Sequence, residues 1–73
     1  MTPYPGGNSG VVAYAIGADF IEIQFKSGEH YLYTHATPGR VHVEAMKKLA
    51  ARGHGLATYI SQQVGANYAE KLR

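Results

Sequence analysis

The sequence predicts an α+β domain: a three-stranded antiparallel meander packed against two C-terminal helices, in the order β-β-β-α-α. Two observations carry this. Three short segments place apolar residues at alternate positions, and those positions fall in register: Val12, Tyr14 and Ile16, then Ile21, Ile23 and Phe25, then Tyr31 and Tyr33. Beyond Thr37 the apolar spacing changes from a period of two to a helical one. Two helices laid on one sheet face bury both apolar surfaces at once.

Met1 to Ser9 reads as a flexible N-terminal arm, because Pro3, Pro5, Gly6 and Gly7 disfavour both helix and central strand. The first hairpin joins 11–16 to 20–25. With Gly17 opposite Phe20, the pairs Ile16–Ile21, Tyr14–Ile23 and Val12–Phe25 share one face. The second hairpin turns through Lys26-Ser27-Gly28, where a final glycine suits a type I turn plus a left-handed residue. That register sets Glu29 opposite Phe25, Tyr31 opposite Ile23 and Tyr33 opposite Ile21. Ala13, Ala15, Phe20, Glu22, Gln24, His30, Leu32 and Thr34 occupy the other face, which is expected to be open to solvent.

The first helix starts with Thr37 as N-cap and Pro38 in the first helical position, and ends at Gly53. Its apolar arc holds Val41, Ala45, Met46, Leu49 and Ala50. Arg40, Glu44, Lys47 and Lys48 lie opposite, with Arg40, Glu44 and Lys48 spaced for i,i+4 pairing. A second helix runs from Leu56 to Val64, with Leu56, Tyr59, Ile60, Gln63 and Val64 on one face, and Gly65 closes it. The ordered domain therefore spans 10–65, and 66–73 reads as a frayed tail.

A chain of 73 residues makes one domain, which on folding buries roughly 60% of the surface its unfolded chain exposes. Without cysteine it has no disulfide and no thiolate metal ligand, and a reducing cytoplasm is the expected location. No apolar run approaches the ~20 residues of a membrane span, and Met1–Pro5 lacks the basic-then-apolar pattern of a signal peptide. Charge is uneven. Up to Thr37, Lys26 stands against Asp19, Glu22 and Glu29. Beyond it, Arg40, Lys47, Lys48, Arg52, Lys71 and Arg73 stand against Glu44 and Glu70. Such asymmetry can steer a partner.

The residues do not spell catalysis or a cofactor. His30 and His35 point to opposite faces if they share a strand, and His42 and His54 belong to other segments, short of the four ligands a closed metal site needs. His42 falls within the helix's apolar arc and reads as a border histidine with one hydrogen-bonded nitrogen. Ser9, Ser27 and Ser61 lack a nucleophile context, Asp19 serves a turn, and no phosphate cradle is present. A non-enzymatic monomer with no small-molecule substrate and no membrane contact is expected. Tyr31-Leu32-Tyr33 resembles an aromatic base-stacking platform, but the register turns both tyrosines inward. The uncharged Val11–Ile16 edge invites strand addition unless the arm covers it. The candidate partner-binding residues are Val11 and Ala13 on that edge, Phe20, Glu22 and Leu32 on the open face, and Arg40, Lys47 and Lys48 on the helix.

The stretch Tyr14 … Ile21-Glu22-Ile23-Gln24-Phe25-Lys26-Ser27-Gly28 … Tyr31-Leu32-Tyr33 … Pro38 … Val41 … Gly53 … Ile60 resembles the KTSC domain. That domain occurs at the C-terminus of some lysyl-tRNA synthetases and alone in bacterial and phage proteins. The resemblance covers most of Gly10 to Ile60, and Phe-x-Ser-Gly-x-x-Tyr-x-Tyr, Phe25 to Tyr33, is its most specific part. It implies an RNA-binding accessory role. Where the family often carries an aromatic-Asn pair on the last helix, this chain has Leu56-Ala57. At whole-chain level the sequence is also similar to small transcription regulators of the kind found in a Xanthomonas bacteriophage. That likeness implies binding to bacterial RNA polymerase in the host cytoplasm, with initiation hindered and elongation (antitermination) favoured.

Overall fold

The computed structural model describes residues 1–5 and 10–73. Among these residues five strands form one antiparallel sheet in chain order: β1 (Thr2–Pro3), β2 (Val11–Ile16), β3 (Phe20–Phe25), β4 (His30–Thr34) and β5 (Glu70–Lys71). Helix α1 (Arg40–Arg52) and helix α2 (Leu56–Tyr59) follow β4, and α2 runs on as a π turn over Ile60–Val64. The fold is α+β, with the three central strands and two helical segments where the sequence places them. No helix among the described residues is long and apolar enough to cross a membrane.

The sheet is wider than expected because both ends of the chain join it. Thr2 pairs with Tyr14 and Pro3 with Ala13, so the start of the expected arm is an edge strand. The rest of that arm, 6–9, lies outside the described residues. At the other edge Tyr31 pairs with Lys71 and Leu32 with Glu70, so the expected frayed tail is β5. Backbone bonds from Ala69 N–H to the Leu32 carbonyl and from Leu72 N–H to the His30 carbonyl, each 2.8 Å, fix it there.

Ile16↔Ile21 and Tyr14↔Ile23 pair as the alternation requires, as do Ile23↔Tyr31 and Ile21↔Tyr33. One pair differs. A register shift between Val11 and Ala13 sets Val11, not Val12, opposite Phe25. An extra residue in one strand reverses which face the following side chains take. Val11 is therefore buried and Val12 is 44% exposed. Ile16, at the end of β2, is also exposed although its register position faces inward.

Ile21, Ile23 and Tyr33 form the sheet side of the core, against Val43, Met46 and Ala50 of α1 and Leu56, Ile60 and Val64 beyond it. The buried stripe of α1 is thus rotated from the expected arc. Val43 lies ~200° around the helix from Val41, so burying Val43 turns Val41 outward, where it is 79% exposed. Gln63, expected on the buried face beside Val64, is exposed in the π turn.

The start of α1 also differs. Thr37 N–H donates to Thr34 Oγ1 (3.1 Å) and the Thr37 carbonyl accepts Thr34 N–H (2.7 Å), so both groups are committed to a turn rather than a cap. Gly39 is the N-cap residue, and the Thr37–Pro38 bond is cis. Gly53 ends α1 as expected: it is left-handed at φ 70, and its N–H meets the Ala50 and Leu49 carbonyls. Glu44 pairs with Lys47 (2.8 Å) and His35 Nε2 (2.8 Å) instead of Arg40 and Lys48. The hydrogen bond from Lys47, and then that from His35, hold the Glu44 carboxyl down at about 2.

Candidate functional site

The helices cover only part of the inward sheet face. Ile21 and Ile23 are sealed beneath them and Tyr33 is nearly so, while Phe25 and Tyr31, farther along the same face, stay half-buried. A groove of about 450 Å³ opens there, walled by Phe25, Tyr31, Tyr33 and Tyr68 and by Ile60, Gly65 and Ala66. That size lies within the range of ligand pockets, which are mostly apolar with a few placed polar groups.

Strand periodicity puts Phe25, Tyr31 and Tyr33 on one face. Tyr68 reaches them because the chain reverses at Gly65 (φ 57) and returns to the sheet as β5. The rings run continuously: Phe25 to Tyr31 at 5.5 Å and 70°, Tyr31 to Tyr68 at 4.5 Å and 46°, Tyr68 to Tyr33 at 6.5 Å and 88°. Such edge and tilted contacts suit the ring quadrupoles and leave faces available. On the helical side Gly65 N–H bonds the Ile60 carbonyl at 2.6 Å, the wide spacing of a π turn. Single π turns recur at functional sites.

The rim is polar. Glu29 accepts from Ser27 Oγ (3.0 Å) and from Lys71 Nζ (2.9 Å). The Lys71 ammonium also stands 5.9 Å from the centre of the Tyr31 ring. Lys71, then Ser27, holds the Glu29 carboxyl below the usual range, and Glu29 in turn raises Lys71. Burial, then the bond to Glu29, raises the Tyr31 phenol. Lys26 adds an exposed cation beside the turn, and its backbone N–H is tied to the Gly10 carbonyl at 2.7 Å. Tyr33, only 1% exposed, lines the groove, and its hydroxyl has no hydrogen-bond partner among the described residues.

Burial, and then the neighbouring Tyr31 and Tyr68, pushes the Tyr33 phenol up to about 12. A folded pKa above the ordinary value of 10 means a contribution fully present below pH 10 and lost as pH rises through 12. In an alkaline absorbance titration one tyrosine is expected to ionise last, together with loss of the fold. In Tyr33→Phe that late step should be missing; its survival would reassign it to another tyrosine.

The residues expected to bind a partner lie elsewhere and do not converge. Val11 and Ala13 are buried, and the β2 edge that was to accept a strand is occupied by β1. Phe20 and Leu32 are half-buried on the outer face, and Phe20 lies over Gly17 where a side chain would otherwise stand. Glu22 is engaged by His30 Nδ1 at 3.0 Å. Lys47 donates to the Ala18 carbonyl (3.1 Å) besides pairing with Glu44. Arg40 and Lys48 are exposed on α1. His42 matches the sequence reading: it is half-buried, with Nδ1 at 2.8 Å from the Tyr59 hydroxyl.

Of the groove residues, Tyr31 and Tyr33 were weighed as a base-stacking platform and set aside because the register turns them inward, and Phe25, Lys26, Glu29 and Tyr68, with Lys71 beside them, were not singled out as binding residues by sequence reasoning. The available signal was Tyr68, an aromatic in a segment otherwise read as frayed. Comparisons of the chain with protein-family models, with curated proteins and with solved structures find no match.

Proposed function

We propose that this chain is a non-enzymatic regulator that binds bacterial RNA polymerase through the aromatic groove and acts on transcription by occupancy. The single observation behind the binding role is the open groove, with four aromatic rings around about 450 Å³. Polymerase as the partner rests on the likeness to small phage regulators, and the core motif from Phe25 to Tyr33 that resembles the KTSC domain also builds two walls of the groove. The rim favours a protein over RNA. Lys71 is already paired with Glu29, whereas phosphate binding draws on several cations and weakens steeply with salt.

Tyr68→Ala tests the reading, since a half-buried tyrosine in a pocket is the usual kind of binding hot spot. Affinity for purified bacterial RNA polymerase is expected to fall at least about tenfold, while Lys48→Ala, on the exposed side of α1, changes little. A thermal melt of each variant checks that the fold persists. Undiminished binding by Tyr68→Ala removes the groove from the reading. Tight binding to a single-stranded RNA oligonucleotide with a steep salt dependence, and none to polymerase, replaces it with a KTSC-type RNA-binding module.

A further inference from the structure

We infer that the groove takes an extended acidic segment of the partner protein that inserts a tyrosine side chain among Phe25, Tyr31 and Tyr68, its hydroxyl meeting that of Tyr33. This rests on the protein-binding reading above and adds what the partner must present.

The first argument is the Tyr33 hydroxyl. Its side chain is 1% exposed, it lines the groove, and it has no hydrogen-bond partner among the described residues. No fully buried side-chain polar atom is left unsatisfied among those residues, so the small exposed part of Tyr33 includes this hydroxyl. A purely apolar occupant would close this hydroxyl off without a partner, a penalty that neither ring stacking nor area removes. An occupant with a polar tip restores the bond. A phenol combines that tip with a flat ring of the kind the surrounding rings pack against. The Tyr33 phenol keeps its proton up to about 12, so it remains a donor at any physiological pH.

The second argument is charge. Lys26 and Glu29 line the groove, and Lys71 stands just behind its rim, paired with Glu29 and 5.9 Å from the centre of the Tyr31 ring, so the Glu29 carboxylate is already matched and Lys26 is left over. A cationic occupant would be repelled by that excess. It would also compete with Lys71, which already holds both the Glu29 carboxylate and a position over the Tyr31 ring. An acidic residue beside the inserted tyrosine instead meets Lys26. One excess positive charge suits one or two carboxylates, not a polyanion.

The experiment measures binding of the full chain to four short labelled peptides of one length: an acidic peptide with a central Tyr, the same with Phe, the same with Ala, and a basic peptide with a central Tyr. The acidic Tyr peptide is expected to bind most tightly and the Phe peptide about tenfold more weakly, the cost of one unsatisfied hydroxyl. The Ala and basic peptides should bind more weakly still. In Tyr33→Phe, which removes only an unpartnered hydroxyl, the Tyr-over-Phe preference should vanish. In Lys26→Glu the preference for acidic flanks should fall. A Tyr preference that survives Tyr33→Phe, equal binding of Tyr and Phe peptides to the unaltered chain, a preference for the basic peptide, or no saturable binding overturns the inference. A flat peptide ranking with polymerase binding lost in Tyr68→Ala leaves the polymerase reading standing without it. The expected ranking without polymerase binding does the reverse.

Discussion

Ile23→Ala is expected to lower the unfolding free energy by about 2–5 kcal/mol, the range for truncating a buried large aliphatic side chain. Ile23 is fully buried, sits on the central strand, and has Tyr14 and Tyr31 as its cross-strand neighbours. Its side chain belongs to the same cluster as Met46 of α1 and Leu56 of α2. Its neighbours in that cluster are themselves buried, so the lost contacts and the cavity both count against the variant. Domains of this kind hold only about 5–15 kcal/mol in total, and a loss at the upper end would leave a large unfolded fraction at room temperature. Urea denaturation is the measurement: the midpoint should fall with the slope unchanged, as for a simple loss of stability. Ile23→Val should cost about 0.5–1.5 kcal/mol and give a graded series. A midpoint unmoved by Ile23→Ala would mean that the helices cover the opposite face of the sheet.

The central part of the fold was legible because its code is periodic. Alternation over six residues in β2 and β3 is long enough to fix a register, and both hairpins place the same side chains inward. The glycine at 28, at φ 95, and that at 53, at φ 70, sit where a left-handed residue is needed. What escaped has no period to read. β1 and β5 have two residues each, too few to alternate. Pro3 counted against a strand, yet proline is tolerated on an edge, and β1 is one. The bulge between Val11 and Ala13 is a single inserted residue, invisible where Val11, Val12 and Ala13 are all apolar. The rotation of α1 came from taking Val41 as the centre of a stripe that fits nearly as well when centred near Ala50.

The candidate site was half legible. Register placed Phe25, Tyr31 and Tyr33 on the inward face, and inward was equated with buried. Whether an inward ring is covered depends on how far the second helical segment reaches along the sheet, and it stops at Gly65 before covering Phe25 and Tyr31. Tyr68 then builds a wall instead of a lid, through a contact across the sheet that local sequence does not encode. At the β2 edge the alternative kept open in the sequence reading is the one found: Thr2 and Pro3 of the arm pair with β2, through two residues too few to show a strand pattern.

Tyr4→Ala is expected to cost about 3–5 kcal/mol, as for other buried aromatic truncations, although residue 4 lies in a segment that composition marks as loose. Tyr4 is buried, and its ring meets the Tyr14 ring edge-on at 6.4 Å and 78°. Its hydroxyl accepts the backbone N–H of Leu56 at 3.1 Å. That N–H is one of the donors a helix start leaves without an internal partner. Its own N–H donates to the Val12 carbonyl at 2.8 Å, extending β1 past the bulge. Pro5 then packs so closely on Gly53 that a side chain at 53 would collide with it, which ties the strand to the end of α1. Tyr4→Phe keeps the ring and loses only the hydrogen bond, so about 1–3 kcal/mol is expected if the Leu56 N–H is left buried and unpaired. Tyr4→Ala removes the anchor as well. The β2 edge then loses the residues that cover it, and exposed edges pair with other chains. Chemical denaturation measures the first effect, and sedimentation at several concentrations measures the second. Equal stability of Tyr4→Ala and Tyr4→Phe, with Tyr4→Ala monomeric throughout, would show that the hydroxyl alone matters and that β1 stays in place without its anchor.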